Sequence, residues 1–333
     1  MNAMHPLVFA ALVLGCTLPS SELEKPLHQE VDPFIGTGGH GHTYPGATSP
    51  FGMVQLSPDT RLDGWDGCGG YHHSDSVIYG FSHTHLQGTG VSDYGDILMM
   101  PCTQFKAGQT AWRDRYASAF SHEREAAAAG SYRVHLDDHA LEVELTTTPR
   151  TGIQRIRLDE ADTLTVIIDL DHRDELVHYS IYPLDDSTLV GHRVSDNWAR
   201  EQHVYFATRF SAPFAWRDQL SEVSTVGVLP DGSLEQVMEY VPVFAADFGV
   251  LDSLIVRTAL SFVDIDGALK NLEAEAPHAD FDAYQTANAS RWDEQLGRVR
   301  VEGGSPADRT NFYTALYHSC TVPNLASDVD GRY

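Results

Sequence analysis

The most regular feature of the chain is an alternation of apolar and polar residues that begins near position 131. An apolar side chain stands at every second position of residues 132–136 and again of residues 141–145. Because successive side chains of a strand point to opposite faces of a sheet, this period of two predicts strands with one buried face. The polar run Asp137-Asp138-His139 between them is typical of a turn.

Further short apolar segments continue the pattern at close spacing, with almost no helical periodicity between them. They lie at residues 153–158, 164–170, 188–194, 204–210, 223–229, 237–244 and 254–263. So many strands in succession predict a mainly β fold, an antiparallel β-sandwich. They are too numerous for one small immunoglobulin-like domain.

The period changes to that of a helix after Asp266. Apolar and aromatic residues then approximate helical spacing at Phe281, Tyr284, Trp292, Leu296 and Val299. Asp280 or Asp282 is placed to cap this helix, and Ser305-Pro306 predicts a second helix with proline at its first position. Helices are therefore expected to follow the β domain.

Residues 31–103 differ from both patterns, because they are rich in Gly, His, Asp, Tyr and Pro and have little periodicity. Such a sequence predicts loops held against a scaffold, which is where binding residues concentrate.

Composition narrows the range of partners. The 333 residues, 42% of them hydrophobic and 21% charged, are typical of a globular protein of about two domains. Acidic residues number 47 and basic residues 22, for a net charge of −25. A chain this acidic repels phosphate backbones and anionic membrane surfaces, so nucleic acid is not expected as a partner. A neutral ligand or a cation suits the charge better.

The N-terminus predicts export. Residues 7–15 are apolar and Cys16 follows, a stretch too short to cross a ~30 Å hydrocarbon core but typical of a signal peptide. Val13-Leu14-Gly15-Cys16 resembles a bacterial lipobox, in which Cys16 would carry a lipid anchor. We therefore expect a signal peptide at residues 1–16, a tether at 17–30, and a location in the periplasm or at the cell surface of a bacterium. The alternative is a misread start codon before a buried apolar stretch.

The remaining cysteines are too few for a disulfide scaffold. Cys68, Cys102 and Cys320 cannot all pair, because they are three. A Cys68–Cys102 disulfide is possible, but the spacing alone does not support it. A structural zinc site of the cysteine type is not expected, because the sequence has no Cys-x-x-Cys pair.

Residues 64–75 place an aromatic ring, carboxylates and imidazoles on a glycine-rich backbone. Trp65 offers a face on which the apolar side of a pyranose can stack, and Asp66 offers an acceptor for its hydroxyl groups. The sequence therefore indicates a sugar site. The alternative is a core tryptophan packed at a sheet edge.

Histidines crowd the same region. His83-x-His85, with Asp93 and Asp96 nearby, permits a zinc site, but no third ligand is fixed by spacing. The favoured interpretation is a set of histidines that hydrogen-bond within a polar cleft. The segment 328–331 faintly suggests a calcium loop, although the later bidentate glutamate is absent.

These residues resemble the opening of glycoside hydrolase family 92. The resemblance rests on motifs that occur in one order along the chain: VDPFIGT at 31–37, YPGA at 44–47, PFGM at 50–53, GWD at 64–66, GY at 70–71, GFSHTH at 80–85, GTG at 88–90, ELT at 144–146, YF at 205–206, FYTALYH at 312–318 and SDVDGRY at 327–333.

The resemblance implies a calcium-dependent (Ca²⁺), inverting exo-α-mannosidase, most often specific for α-1,2 linkages, which trims mannose from N-glycans or mannans. It also implies a fold in which a β-sandwich is joined by a helical linker to an (α/α)6 barrel. The sandwich would cover residues 31–265, the linker 266–304 and the start of the barrel 305–333.

The resemblance assigns substrate contacts but no catalytic residue. The general acid, the general base and most calcium ligands are expected beyond residue 333, so this chain alone is expected to be inactive. Trp65 resembles the sandwich tryptophan beside the scissile linkage, and Asp66 and Cys68 share its loop. Asp328 resembles the aspartate that accepts hydroxyl groups of the terminal mannose, with Asp330 as a second candidate. His83 and His85 are expected to support the loop.

Two other functions stay open on sequence. One is a non-catalytic mannan-binding protein made of the sandwich alone. The other is a different carbohydrate enzyme on the same plan, such as a phosphorylase, although no part of the sequence concentrates Lys or Arg as a phosphate pocket would require.

Overall fold

The computed structural model describes residues 25–61, 63–106, 112–218, 223–228, 234–239 and 242–333. The predicted signal peptide, the predicted lipid anchor at Cys16 and most of the predicted tether lie outside the described residues. Within these ranges, no helix is both long enough and apolar enough to span a membrane.

The described residues form seventeen strands. Their bounds are β1 Ala47–Thr48, β2 Gln55–Asp59, β3 Val77–Ile78, β4 Gly80–Ser82, β5 Leu98–Cys102, β6 Ser118–Ala119, β7 Glu125–Ala128, β8 Ser131–Leu136, β9 Leu141–Thr147, β10 Thr151–Asp169, β11 Glu175–Pro183, β12 Thr188–Asp196, β13 Gln202–Phe210, β14 Ala215–Arg217, β15 Val223–Val228, β16 Leu234–Glu239 and β17 Val243–Ser261.

Five α-helices accompany these strands in the same described ranges. They are α1 Leu27–Glu30, α2 Trp112–Tyr116, α3 Ile265–Glu275, α4 Phe281–Leu296 and α5 Pro306–Ser319.

Two 19-residue strands, β10 and β17, organise the sandwich. They pair antiparallel, with register shifts near the middle of β10, where both strands are exposed while their ends are buried. The first half of β10 also pairs with β9, and its second half pairs with β5. Each strand therefore bends from one layer of the sandwich into the other.

One layer has the order β7-β8-β9-β10-β17-β13-β12-β11, and the other has the order β1-β2-β4-β5-β10-β17-β14. A single apolar core includes residues of both layers, such as Leu145 and Phe206 from the first and Met100 and Ile168 from the second. The predicted mainly β, antiparallel architecture followed by helices is confirmed.

The predicted alternation is confirmed in β8 and β9, whose apolar positions at 132–136 and 141–145 are buried. Three details of the strand pattern were wrong. Residues 153–158 and 164–170 belong to the single bent strand β10, and residues 237–244 are divided between β16 and β17. β11 was missed because it lies at the sheet edge, where its side chains are exposed or half-buried and give little alternation.

The helices begin where capping residues predict. Asp280, rather than Asp282, caps α4 by accepting the amide of Ala283. Ser305 and Asp308 form a reciprocal capping box at the start of α5, with Pro306 at its first position. Side-chain oxygens thus satisfy amides that a helix start leaves without a partner.

α4 is joined to the sandwich by a buried amide. Asn288 accepts a hydrogen bond from Oγ of Ser49 (2.8 Å) and donates to the carbonyls of Thr48 (3.3 Å) and Gly130 (3.0 Å). One turn later, Nε1 of Trp292 donates to the same Thr48 carbonyl at 2.8 Å. These contacts fix the helical segment against the sheet.

Candidate functional site

The turn that contains Trp65 is shaped by glycine. Gly64 has a φ of +83°, which side chains rarely adopt, and a short 3-10 helix follows it. The amide of Gly67 donates to the Gly64 carbonyl (3.1 Å), and the amide of Gly70 donates to the Gly67 carbonyl (2.9 Å). Residues 64–70 form this tight structure, which we call the Trp65 turn.

The Trp65 side chain is positioned on this turn but open to solvent, since the residue is 64% exposed. Its ring lies against the backbone of Gly90, where an added Cβ would come within 2.0 Å of the indole. The His42 ring meets it edge-on, with 5.2 Å between ring centroids. An exposed aromatic ring held in this way can stack on the apolar face of a sugar.

Asp66 places a carboxylate next to this ring. Its Oδ1 lies 2.9 Å from Nδ1 of His40 and 3.9 Å from Nε2 of His42. The hydrogen bond with His40 lowers the pKa of the Asp66 carboxyl. Asp66 is therefore ionised at neutral pH and can accept hydrogen bonds from hydroxyl groups.

Cys68 lies beneath the turn rather than on its surface. Its Sγ donates to the carbonyls of Trp65 (2.8 Å) and Thr89 (3.1 Å), and the residue is 2% exposed. Burial raises the pKa of the thiol. Cys68, Cys102 and Cys320 are free in the structure. The Cys68 thiol therefore links the Trp65 turn to the loop at Thr89.

A buried carboxylate lies directly below the turn. An added Cβ on Gly70 would come within 2.5 Å of Asp59 Oδ1, which shows how closely the backbone approaches this group. The same oxygen lies 3.3 Å from Nε2 of His85, 3.5 Å from Nε2 of His172 and 3.7 Å from Nη1 of Arg173. Three nitrogen-bearing side chains thus surround one fully buried aspartate.

The charge state of Asp59 follows from these neighbours. Burial alone would raise the pKa of its carboxyl, but His85 and His172 outweigh burial and hold the pKa well below its usual range. Asp59 is therefore an ionised carboxylate, which accepts hydrogen bonds from Ser82 at Oδ2 and interacts electrostatically with the side chains near Oδ1.

Arg173 connects this buried group to the Trp65 turn. Its guanidinium donates to the carbonyl of Gly67 and, through Nε, to Oγ of Ser92 at 3.0 Å. Its own carbonyl accepts a hydrogen bond from Arg193, whose Nη1 pairs with Asp96 at 2.5 Å. Buried arginines thus join the turn to the neighbouring strands.

Asp328 and Asp330 contact residues other than those of the Trp65 turn. Asp328 is buried and accepts hydrogen bonds from Ser261 (2.8 Å) and Asn271 (2.7 Å), on β17 and α3. Asp330 is paired with Lys270 at 3.1 Å and with Arg332 at 2.9 Å. Trp65, Asp66 and Cys68 are brought together, whereas the contacts of the two later aspartates belong to another part of the chain.

The two histidines of the GFSHTH motif are buried beside the site. Nδ1 of His83 lies 2.7 Å from the Ile97 carbonyl, and Nδ1 of His85 lies 2.9 Å from the Gln55 carbonyl. In the part of the chain that the structure describes, no group of three or more His, Cys, Asp or Glu residues could hold a metal ion. Because Ca²⁺ is also bound by carbonyl oxygens and water, the expected calcium site stays a prediction.

The supporting residues were missed from the sequence. His172 and Arg173 stand in the polar run Asp171-His172-Arg173-Asp174 directly after an apolar strand. Such a run is typical of an exposed turn, so its composition pointed away from burial. The one sequence feature that could have indicated their role was the adjacent His172-Arg173 pair in a chain rich in acidic residues.

Two family models match this chain. The model of the glycosyl hydrolase family 92 N-terminal domain matches residues 30–239, and that of the family 92 catalytic domain matches residues 267–333. The chain belongs to glycosyl hydrolase family 92. The resemblance drawn from its motifs is confirmed, while the domain boundaries at 265 and 304 stay predictions.

Solved family 92 structures share the fold. The α-mannosidase BT3965 from Bacteroides thetaiotaomicron has a TM-score of 0.80 at 30% identity, covering 92% of this chain and 42% of that one. The inverting mannosidase BT2199 from the same organism has a TM-score of 0.76 at 26% identity, covering 92% and 41%.

A curated relative that is described as a glycosidase agrees with the family assignment. An uncharacterised secreted glycosidase of Arthroderma benhamiae is 24% identical, over 91% of this chain and 42% of its own length. The chain therefore spans about two fifths of the length of the relatives that it matches.

Proposed function

We propose that this chain supplies the N-terminal part of an exo-α-mannosidase that removes terminal mannose, most often α-1,2-linked, from N-glycans or mannans. The match of residues 30–239 and 267–333 to the two domains of family 92 carries the proposal. The exposed Trp65 ring next to the Asp66 carboxylate agrees with it, because sugars are bound by stacking and by hydroxyl hydrogen bonds.

In this proposal the chain binds and orients the substrate. The Trp65 ring packs on the sugar or on the leaving group, the Asp66 carboxylate accepts hydroxyl groups nearby, and Asp328, with Asp330 as second candidate, accepts hydroxyl groups of the terminal mannose.

Inversion requires a general acid and a general base roughly 6.5–9.5 Å apart, with a water between them. We place both carboxyl groups, and most ligands of a Ca²⁺ ion, outside these 333 residues, so the chain alone would be inactive.

The match of residues 267–333 to a catalytic domain disfavours a binding protein made of the sandwich alone. The mannosidases among the structural relatives include BT3965 in complex with mannoimidazole, at a TM-score of 0.80. This supports a mannose-type substrate for the full-length protein.

We also propose that the protein is exported, with residues 1–16 as signal peptide and Cys16 as the lipid-bearing residue. The curated Arthroderma relative is described as secreted. Labelling of the cells with a radioactive fatty acid should mark the wild-type protein and leave Cys16→Ser unmarked. Equal labelling of both would contradict the lipid anchor.

The proposed activity is tested with the full-length protein on α-1,2-mannobiose. Proton NMR should show mannose released first as the β-anomer, as inversion requires, and a calcium chelator should abolish the release. A folded, full-length protein that releases no mannose would contradict the proposal. First release of the α-anomer would contradict inversion, and full activity in chelator would contradict the role of calcium.

A further inference from the structure

A second exposed tryptophan lies across a loop from the Trp65 turn. Trp198 is 77% exposed and stands in the short connection between β12 and β13. Residues 86–94, which we call the bridging loop, separate it from Trp65: Gly90 touches the Trp65 ring, and Thr89 accepts the Cys68 thiol. Trp65 and Trp198 thus flank the same loop.

The backbone on both sides of Trp198 is held in place. Nδ2 of Asn197 donates to the carbonyl of Ser92 and, at 2.9 Å, to Oδ1 of Asp174. The amide of Ala199 donates to Oδ2 of Asp93 at 2.8 Å. Because Ser92 and Asp93 belong to the bridging loop, the Trp198 ring is presented to solvent from a fixed backbone.

A groove of about 380 Å³ opens between Trp198 and the bridging loop. This volume is within the range of small-ligand sites. The walls combine two aromatic rings with amide and carboxylate groups, and the residues that matter here are Gln87, Asp93, Tyr94, Trp198 and Gln202. Oε1 of Gln87 is buried and has no hydrogen-bond partner among the described residues.

These features match the chemistry of a neutral polyol. An aromatic face accepts the apolar side of a pyranose, and the unpartnered Gln87 oxygen and the Asp93 carboxylate can accept hydroxyl groups. An anionic ligand is disfavoured by the Asp93 carboxylate in the groove and by the net charge of −25.

We propose that this groove is a distal sugar-binding subsite, which takes an internal mannose unit of an extended glycan while the terminal unit lies at the Trp65 turn. This proposal rests on the proposed function, because Trp65 is there placed beside the scissile linkage. It predicts a preference of the full-length enzyme for long substrates over disaccharides.

The test compares Trp198→Ala with wild type in the full-length enzyme, on α-1,2-linked mannotetraose and mannobiose. We expect KM for the tetraose to rise about tenfold more than KM for the disaccharide, with partial recovery in Trp198→Phe. Tyr182→Ala is the matched control. Tyr182 is an exposed aromatic residue opposite Val190, about 20 Å along β12 from the Trp198 connection, and its loss should leave both KM values unchanged.

Equal effects of Trp198→Ala on the two substrates would overturn the subsite. A lowered melting temperature without a selective KM change would also overturn it, since Trp198 would then pack against another part of the protein. If the wild-type enzyme released mannose from neither substrate, the proposed function would fail by itself. Calorimetric titration with mannotetraose would still decide the subsite: a roughly tenfold weaker Kd in Trp198→Ala supports it, and an equal Kd overturns it.

Discussion

At the scale of single residues, the candidate site depends on charges that do not touch solvent. The exposed Trp65 and half-buried Asp66 side chains stand on a turn held from below by Arg173, and Arg173 in turn lies beside Asp59. Removal of one partner from a buried charge group leaves the others uncompensated. Asp59 is therefore as important to the site as the residues that would meet a sugar.

Asp59→Asn should destabilise the full-length protein. The neutral amide no longer compensates the buried Arg173 guanidinium, so we expect a loss of about 3–5 kcal/mol and a fall in melting temperature of about 6–20 °C at pH 7. Thermal unfolding of Asp59→Asn measures the loss. The exposed Asp63→Asn is the control, and equal melting temperatures for the two variants would contradict the role of Asp59.

His83 should make stability sensitive to acid. Burial lowers the pKa of its imidazole to about 4, whereas an unfolded histidine has a pKa near 6.5. Between these values the unfolded state binds the proton and the folded state does not. Stability is therefore present above pH 6.5 and is lost, by about 3 kcal/mol, as the pH falls towards 4.

His83→Gln tests this dependence, because glutamine fills the buried position with a polar side chain that cannot titrate. The melting temperature of the variant should fall less steeply than that of wild type between pH 6.5 and 4. His278→Gln, at an exposed position, should keep the wild-type slope. Parallel curves for His83→Gln and wild type would show that another group governs the acid response.

Individual residues were predictable where their chemistry was visible in the sequence. Trp65 next to Asp66 indicated a sugar site, with a core tryptophan as the alternative; the structure shows the ring exposed rather than in the core, and the sugar site stays a prediction. Asp59 and Arg173 could not be found, because burial of charge depends on partners more than a hundred positions away, and hydrophobic patterning carries no information about such pairs.

At the scale of elements, the junction between sheet and helices depends on α4. Asn288 hydrogen-bonds with residues that precede β2 and with Gly130, and the close approach at Gly130 leaves no room for a Cβ, which would lie 2.8 Å from the amide. Caps and helical spacing predicted α4 and α5, since these are local signals. The bend of β10 was not predicted, because its exposed middle breaks the alternation that marks a strand.

Asn288→Ala should loosen this junction. The change removes the buried hydrogen bonds of Asn288 to Ser49, Thr48 and Gly130 and leaves a cavity, so we expect a loss of about 2–3 kcal/mol and a melting temperature lowered by about 4–12 °C in the full-length protein. Thr286→Ala lies on the same helix at an exposed position and should change the melting temperature by less than about 2 °C. If both variants melted alike, the docking role of Asn288 would be refuted.

At the scale of the whole molecule, the sandwich serves to present two neighbouring loops, the Trp65 turn and the bridging loop, from one rigid framework. Long strands shared between the layers make the framework continuous, and buried ion pairs anchor the loops to it. The alternation of residues predicted this architecture. The proposed route of a glycan across it could not be predicted, because it depends on loop contacts that no periodicity encodes.

The proposed function places the Trp65 turn in a mannose-binding site. Its most direct test is kcat/KM of full-length Trp65→Ala on α-1,2-mannobiose, with Tyr182→Ala as an exposed aromatic control. Removal of the ring should lower kcat/KM by about a hundredfold, because the sugar would no longer be oriented by it. The melting temperature should change little, because Trp65 is largely exposed. Wild-type kcat/KM in Trp65→Ala would contradict the claim.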